Sequence, residues 1–369
     1  KTIALLFSTV DYRMEADEEI RGIFSHIREL CRERFDDNDE KEILAQGEMM
    51  STTLMYLYLH EQGVNAAFLP ALDYMRTDVN SEADSEYIHD RLIGLLDENP
   101  AADLYITQGY ICRNNLGRVD NLQRGGSDLT ASLVGAAISA SEIEIWTDID
   151  GMHNNDPRYV EGTRPVAELH FDEAAELAYF GAKILHPACV LPAKVNNIPV
   201  RLLNTMEPSA KGTLIHHTER CRQIKTVAAK DNIIAIKIKS SRMVPASNFM
   251  HRVFEIFDNY RKPIDMIATS EVGVTVTVDS PMKLENIIDE LKEIGTVQVH
   301  DNMTIICVVG DLHWRNCGYE ADALDALRNI PVRMVSYGGS DSNISFLVSA
   351  DDKVAALQAL SARLFPLPD

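Results

Sequence analysis

The strongest constraint on the fold is a pattern that occurs twice in the C-terminal part of the chain. Strand, helix, strand, strand and helix follow one another in this order over residues 233–294 and again over residues 304–365. A further strand from either flank, 226–229 or 297–300, would complete a βαββαβ module of the ferredoxin-like kind. The sequence therefore predicts two small modules in tandem, a fold that does not by itself define a chemistry.

The part of the chain before these modules predicts a mixed α/β layer. The apolar spacing indicates helices over Glu15–Arg34 and Ser51–Gln62. From residue 66 to residue 203, short β-rich runs alternate with helical ones, which favours a largely parallel sheet. The polar stretch 204–223 predicts a linker, and we place a domain boundary near residue 220.

The composition excludes several classes of protein. With 35 Lys+Arg against 56 Asp+Glu, the net charge of −21 disfavours nonspecific binding to nucleic acid or to an anionic membrane. The six cysteines form no C-x-x-C pair, which argues against a disulfide framework or a zinc site and fits a reducing, cytoplasmic setting. No apolar run approaches the roughly 18 residues of a membrane span.

The sharpest local motif is Arg-Gly-Gly-Ser-Asp at residues 124–128, before a helix rich in small residues. Two glycines allow backbone N–H groups to turn toward a ligand, and the N-terminus of a helix attracts an anion. Ser127 or Asp128 is expected to cap the helix, and Arg124 to bind a carboxylate or phosphate. An ordinary Gly-Gly turn before a capped helix explains the same residues equally well.

Three weaker motifs each have a structural and a functional interpretation. Thr147 and Asp148 end a strand, and α/β sheets bind nucleotides at the ends of strands. The sequence Asp-x-Asp-Gly at 148–151 also simply favours a turn. Lys183 follows a glycine and could reach a phosphate, although a loop lysine is more often solvated. Glu48 could hold a substrate ammonium, or could simply complement the dipole in the first turn of a helix.

Taken together and in order, these segments resemble the successive signatures of the aspartate kinases, from about residue 44 to the end of the chain. The resemblance implies an amino-acid-kinase fold, an αβα sandwich with a largely parallel sheet, over residues 1–220. Two ferredoxin-like ACT domains would follow, over 221–297 and 298–369. The matching segments are Gly47–Glu48 with Ser51–Thr52, Met75–Thr77, Ile106–Tyr110, Leu122–Asp128, Trp146–Asp148, Asp156–Arg158 and Phe171–Pro187.

Members of that family transfer the γ-phosphoryl group of ATP, with Mg²⁺, to the side-chain carboxylate of L-aspartate, the first step toward lysine, threonine and methionine. The resemblance implies that Glu48 binds the α-ammonium of aspartate and Arg124 its carboxylate. Gly126 and Ser127 would support the substrate, and Asp128 would orient a catalytic lysine. Arg124 and Asp128 are the catalytic residues that this analogy predicts.

The same resemblance implies a nucleotide site. Thr147, Asp148, His153, Arg158 and Lys183 would line it, with the two cations neutralising phosphate charge alongside Mg²⁺. Phosphoryl transfer depends chiefly on positioning and charge stabilisation, so a few cations suffice in an acidic protein.

The sequence also departs from the family pattern. The Lys-Phe-Gly-Gly-Thr-Ser segment that supplies the catalytic lysine and the later Ser-Ala-x-x-Gly-x-Thr-Asn segment are not found, and Lys1 cannot be assigned to the catalytic lysine. We therefore expect an N-terminally incomplete catalytic domain. Gln123 stands where many relatives have Gly, and His153 where many have a Tyr that stacks on the base.

The first ACT-like module resembles the effector site of lysine-sensitive members. Asp265 and Glu271 suit a cationic effector, although exposed charges at strand ends would explain them as well. Ala246 replaces a serine of some lysine-sensitive relatives. Carried over, the site would bind L-lysine between the ACT modules of two subunits. Its residues would be Met243, Phe249, Met250, Ile264, Asp265, Ser270 and Glu271.

Two alternatives remain open at this point. The chain could be a catalytically silent amino-acid sensor that has lost the lysine segment, or another amino-acid-kinase-fold enzyme that acts on glutamate or a nucleotide. The first hypothesis, a lysine-inhibited aspartate kinase that forms a homodimer or a higher homo-oligomer through its ACT domains, accounts for more of the motifs.

Overall fold

A computed structural model describes residues 1–32, 35–123, 125–180, 187–218, 223–240, 246–270 and 273–366. The chain divides into two compact units: a first unit of residues 1–145 and 185–201, and a second unit of residues 146–184 and 202–369. The helices are α1 (Thr2–Leu6), α2 (Val10–Leu30), α3 (Asp37–Glu61), α4 (Ala71–Tyr74), α5 (Ser85–Glu98), α6 (Gly126–Ala137), α7 (Phe171–Tyr179), α8 (Pro187–Val195), α9 (Ala246–Asn259), α10 (Leu284–Ile294), α11 (Tyr319–Ala326) and α12 (Lys353–Leu364).

The strands are β1 (Ala66–Phe68), β2 (Leu104–Ile106), β3 (Ile111–Arg113), β4 (Val119–Asn121), β5 (Ile143–Thr147), β6 (Glu168–His170), β7 (Val200–Asn204), β8 (Thr213–His216), β9 (Ile224–Ser240), β10 (Ile267–Ser270), β11 (Gly273–Val278), β12 (Gly295–Gly310), β13 (Met334–Tyr337) and β14 (Asn343–Ser349). Parallel pairing joins β1 to β2 and β6 to β8.

Helix α3 begins well before the residue that the apolar spacing indicated. Asp36 caps it, because its side chain accepts hydrogen bonds from the backbone N–H groups of Asn38 and Asp39. The Asp39 side chain accepts in return from the backbone N–H of Asp36, which completes a capping box. The prediction that Glu48 lies in the first turn of a helix is therefore wrong: it lies in the middle of α3.

Helix α6 uses its small residues to pack closely on β5. A side chain at Gly135 would place a Cβ 2.5 Å from Cγ1 of Ile143, a contact that only glycine avoids. The helix begins at Gly126 after Gly125, whose φ of 76° is left-handed, and no side chain caps it. Ser127 and Asp128 therefore lie in its first turn instead of capping it as expected.

The expected linker over 204–223 contains a strand. Strand β8 is an inner member of a four-stranded sheet of order β5-β7-β8-β6. Thr213, at its start, is fully buried, and its hydroxyl donates to the carbonyl of Val166 at 2.7 Å. The alternation of buried and half-buried side chains in this short strand was too brief to stand out from the polar residues around it.

The two ACT-like modules share one six-stranded sheet of order β10-β11-β9-β12-β14-β13. Two long antiparallel strands, β9 and β12, form its centre, and their register shifts between His300 and Met303. The segments 226–229 and 233–238, expected as separate strands, are parts of β9, and 297–300 and 304–309 are parts of β12.

The hydrophobic cores show how the two modules interleave. Ile236 and Ile238, from the second half of β9, pack with α9, β11 and α10. Ile224 and Val227, from the first half of β9, pack instead with β14, α11 and α12. A strand that precedes the first module in sequence thus belongs to the core of the second, while the domain limits at 221–297 and 298–369 stay a prediction.

The remaining elements follow the sequence expectations closely. The spacing predicts strands over 143–147 and 273–278 and a helix over 284–294, and β5, β11 and α10 have these bounds. Most other elements differ by a few residues at an end, where the limits of helices and strands vary most. None of the helices within the described ranges combines the length and the apolar character needed to cross a membrane.

Candidate active site

The acceptor-side residues of the candidate site lie in the first unit. Glu48 is half-buried on α3, and in the described part of the chain its carboxylate has no hydrogen-bond or ion-pair partner. Its backbone carbonyl accepts a hydrogen bond of 2.8 Å from the hydroxyl of Thr52, one helical turn further on. A partly buried carboxylate without a partner is suited to bind a cationic group of a ligand.

The four-residue turn Thr107–Tyr110, between β2 and β3, contacts both α3 and the start of α6. The side-chain amide of Gln108 donates to the hydroxyl of Thr52 at 3.2 Å. A Cβ added at Gly109 would lie 3.1 Å from the Cα, Cβ and Oγ atoms of Ser127, so the backbone of the turn lies directly against the first turn of α6. The structure thus joins Glu48 and Ser127, which sequence reasoning had only placed on separate motifs.

The start of α6 has further contacts with this turn and with α8. The hydroxyl of Thr130, buried within the helix, accepts from the backbone N–H of Tyr110 at 3.1 Å and donates to the carbonyl of Gly126 at 2.8 Å. The thiol of Cys189 on α8 lies 3.5 Å from the carbonyl of Gly125. Ser127 is exposed and Asp128 half-buried, whereas the predicted Arg124 lies outside the described residues.

The nucleotide-side residues lie in the second unit, after β5. Thr147 is half-buried, and its hydroxyl accepts from the backbone N–H of Ile149 at 3.1 Å, while Asp148 is exposed. The turn closes at Gly151, whose φ of 107° is left-handed. The next backbone N–H, that of Met152, donates to the hydroxyl of Thr213 at 2.8 Å. The turn is therefore fixed to the start of β8.

His153 and Arg158 both have partners in the structure. Nε2 of His153 lies 2.8 Å from Oδ1 of Asp150, and Nδ1 lies 3.1 Å from the hydroxyl oxygen of Thr163. Arg158 is exposed, and its Nη2 lies 2.6 Å from Oδ2 of Asp156, a bond that raises the pKa of the guanidinium. The predicted Lys183 lies outside the described residues.

We expect Gly151→Ala to lower the free energy of unfolding by about 1–3 kcal/mol. The added Cβ would lie 2.5 Å from the hydroxyl and 2.9 Å from the backbone nitrogen of Thr213, in a backbone conformation that alanine rarely adopts. Denaturant titration followed by circular dichroism measures the change. Gly339→Ala is the matched control, because that position has open space around it and should change stability little; equal effects of the two variants would contradict the prediction.

The predicted effector residue Asp265 is buried and paired within the chain. Its side chain is 3% exposed, and Oδ1 lies 2.6 Å from the ammonium of Lys230, which also lies 3.2 Å from Asp279. In the described part of the chain Oδ2 is buried without a hydrogen bond of normal geometry, although the Tyr179 hydroxyl interacts with the same carboxylate. Burial raises the pKa of Asp265, and the Lys230 ammonium offsets only part of that increase. The alternative of an exposed strand-end charge does not hold for Asp265.

The other effector residues divide into three groups. Phe249 is buried in the core of the first module, with Met250 and Ile264 packed partly buried against that core. Ser270 is exposed at the end of β10. Met243 and Glu271 lie outside the described residues, so the complete effector site stays a prediction.

Sequence reasoning missed two residues that the structure connects to these sites. Gln108 is 1% exposed and spans α3 and α4, since its Oε1 accepts from the backbone N–H of Ala71 at 2.8 Å. A polar residue in an otherwise apolar strand end was the available signal. Lys230 and Asp231 form a charged pair between two apolar runs of β9, and this pattern did not indicate that Asp265, just before β10, is a partner of Lys230.

The fold is that of an amino acid kinase with ACT modules, and comparisons with known proteins agree. The model of the amino acid kinase family matches residues 9–204, and a model of the ACT domain matches residues 306–364. The chain is 34% identical over 340 residues to the lysine-sensitive aspartokinase 3 of Escherichia coli K12, covering 88% of this chain and 75% of that protein. The chain belongs to the aspartokinase family.

Two solved structures of E. coli aspartokinase III are similar to the whole fold. The complex with aspartate and ADP, in the R-state, has a TM-score of 0.86 at 33% identity and covers 95% of this chain and 81% of that one. The complex with lysine and aspartate, in the T-state, has a TM-score of 0.79 at 34% identity, covering 96% and 82%. The chain is also 33% identical to aspartokinase 1, chloroplastic, of Arabidopsis thaliana, of which it spans 65%.

Proposed function

We propose that this protein is an ATP-dependent aspartate 4-kinase that L-lysine inhibits. The observation that carries the proposal is the junction in the first unit, where one turn contacts both α3, which carries Glu48, and the glycine-rich start of α6. A carboxylate on one element and a helix N-terminus on the other suit an amino acid, which carries an ammonium and a carboxylate on one carbon.

In this proposal Glu48 binds the α-ammonium of aspartate. Arg124, with Gly126 and Ser127 at the start of α6, binds its carboxylate, and Asp128 orients a cation of the transfer machinery. Thr147, Asp148, His153, Arg158 and Lys183 hold ATP, which enters as its Mg²⁺ complex, so the magnesium belongs to the substrate. Arg158 then exchanges its contact with Asp156 for phosphate, or shares its guanidinium between the two.

The reaction needs little covalent chemistry from the protein. A side-chain carboxylate oxygen of aspartate attacks the γ-phosphorus, the bond to the oxygen bridging the β- and γ-phosphates breaks, and ADP leaves. No proton is transferred in this step, so the contribution of the residues is alignment and neutralisation of charge.

Inhibition by lysine is supported by the chemistry around Asp265. The second carboxylate oxygen of Asp265 is buried without a hydrogen bond of normal geometry in the described part of the chain, next to Ile264 and to the strand that ends at Ser270. An effector ammonium would supply that hydrogen bond. Coupling to the kinase site would be worth roughly 1–3 kcal/mol.

We also propose that two copies associate through the ACT modules. The edges of the six-stranded sheet are β10 and β13, which carry the exposed apolar side chains of Ile267, Val335 and Tyr337. Edge strands with exposed apolar residues favour pairing with a second chain. Light scattering should then give a mass of two chains or a multiple of it.

The test is release of ADP by the full-length gene product with ATP, Mg²⁺ and L-aspartate, with and without lysine, threonine or methionine. We expect turnover that needs aspartate and that lysine alone suppresses. Turnover with glutamate in place of aspartate would favour another amino acid kinase. Absence of turnover, with lysine still bound in calorimetry, would overturn the kinase proposal in favour of an amino-acid sensor.

A further inference from the structure

The turn Thr107–Tyr110 contacts both elements that would hold aspartate, although none of its residues was expected to bind it. Towards α3, Gln108 reaches Thr52, whose hydroxyl in turn donates to the carbonyl of Glu48. Amide, hydroxyl and carbonyl thus form a continuous chain of hydrogen bonds from the turn to the backbone of the residue that would bind the ammonium.

The turn is itself rigidly held. Gln108 is almost fully buried, and both ends of its amide have a partner, Ala71 at one end and Thr52 at the other. The hydroxyl of Tyr74, fully buried, lies 2.8 Å from that of Thr107, and burial raises the pKa of Tyr74 to about 12, so the phenol stays protonated. A buried, fully satisfied polar network of this kind fixes geometry.

Towards α6, the contact is steric as well as polar. A Cβ at Gly109 would be crowded against Ser127, and a Cβ at Gly126 would lie 2.8 Å from Cδ2 of Tyr110. Tyr110 takes a left-handed φ of 67° that directs its backbone N–H to Thr130. The turn and the start of α6 therefore have one close-packed arrangement.

We propose that Gln108 is a positioning residue for the amino-acid substrate, acting through Thr52 to fix Glu48 at a set distance from the first turn of α6. This inference rests on the proposed function, since it concerns the same site. Gln108 does not touch the substrate. Its buried amide and the glycine that follows it set the spacing of the ammonium and carboxylate subsites, so it should govern aspartate binding and leave ATP binding alone.

The experiment compares Thr52→Val, which keeps the shape and removes the hydroxyl, with Thr52→Ser, which keeps the hydroxyl. We expect Thr52→Val to raise KM for aspartate by about five- to tenfold, the value of one lost hydrogen bond, with KM for ATP unchanged within about twofold. Thr52→Ser should restore the wild-type value. Thr53→Val, the same change one residue further along α3, is the matched control and should leave both constants unchanged.

Gln108→Met adds an independent arm. Gln108 and Thr52 act through the same hydrogen bond. The double variant Gln108→Met/Thr52→Val should therefore raise KM for aspartate no more than the single variant with the larger effect does. Two results with an active wild type would overturn the positioning role but not the proposed function. One is an unchanged KM for aspartate in Thr52→Val, and the other is an equal change of the KM values for aspartate and ATP. A wild type without aspartate-dependent ADP release overturns the proposed function, and this inference with it.

Discussion

Replacing Lys230 by methionine is expected to lower the free energy of unfolding by about 3–5 kcal/mol, the usual cost of removing one partner of a buried ion pair. Methionine keeps most of the aliphatic length but leaves the carboxylate of Asp265, 3% exposed, without its cation. Asp279, which lies 3.2 Å from the Lys230 ammonium, then repels Asp265. The same ammonium lies 4.8 Å from the ring centroid of Tyr179, a further contact that the variant loses.

Two further variants separate this effect from a general loss of stability. Lys230→Met/Asp265→Asn removes both charges and should recover most of the loss. Lys292→Met removes an exposed pair with Asp289, whose side chain is 74% exposed, and should cost less than about 1 kcal/mol. Denaturant titration of each variant gives the comparison. A stability of Lys230→Met within about 1 kcal/mol of the wild type would contradict the prediction.

The pH dependence of the Lys230→Met variant provides a second check. Burial raises the pKa of Asp265, so the folded protein binds the proton of this carboxyl more tightly than the unfolded chain does. The unfavourable charge is therefore absent below the unfolded pKa of about 3.9 and appears as the pH rises through the raised folded pKa. The deficit relative to the wild type should shrink in mildly acidic buffer and be complete at neutral pH.

Local elements could be predicted from the sequence because their signals are local. The limits of β11 and α10 follow from apolar alternation and from the helical repeat, both of which are complete within the element. The start of α3 could have been found as well, since Asp36 and Asp39 have the spacing of a capping box. The apolar spacing alone predicted a start at Ser51, because the first turn of α3 contains only Asp, Asn and Glu residues.

Pairings between distant segments could not be predicted in the same way. The first half of β9 pairs with residues 303–310 and its second half with residues 295–300. The sequence of β9 alone does not predict either pairing. Whether a run forms one long strand or two short ones depends on the partner strand and on burial, which the apolar pattern of a single segment does not contain. The interleaved modules were therefore expected as two separate ones.

The candidate site shows the same division. Motif order predicted Glu48, Ser127 and Asp128 as site residues, and the structure brings α3 and the start of α6 to the same turn. Lys230, the partner of Asp265, lies by contrast 35 residues earlier, on β9. The sequence around a lysine in an apolar run does not indicate which residue it pairs with. Gln108 was quoted within a motif, but its role depends on Thr52, 56 residues earlier.

Glu48→Gln should raise KM for L-aspartate by about 10- to 100-fold, because a hydrogen bond to a charged group is worth roughly 1.5–3 kcal/mol. The substitution keeps the shape of the side chain and removes the charge that would pair with the α-ammonium. KM for ATP should stay near the wild-type value, because the nucleotide residues Thr147 and Asp148 lie in the other unit. Initial rates of ADP release at varied aspartate and at varied ATP give both constants.

The unusual feature of Glu48 makes this test selective. Since its carboxylate has no partner in the described part of the chain, Glu48→Gln should leave the denaturation midpoint nearly unchanged, which separates loss of binding from loss of folding. Glu40→Gln, the same change at an exposed position of the same helix, is the control and should alter neither KM. If aspartate KM is equal in Glu48→Gln and Glu40→Gln, Glu48 does not bind the ammonium. Its carboxylate, which has no partner among the described residues, would then bind a different cation.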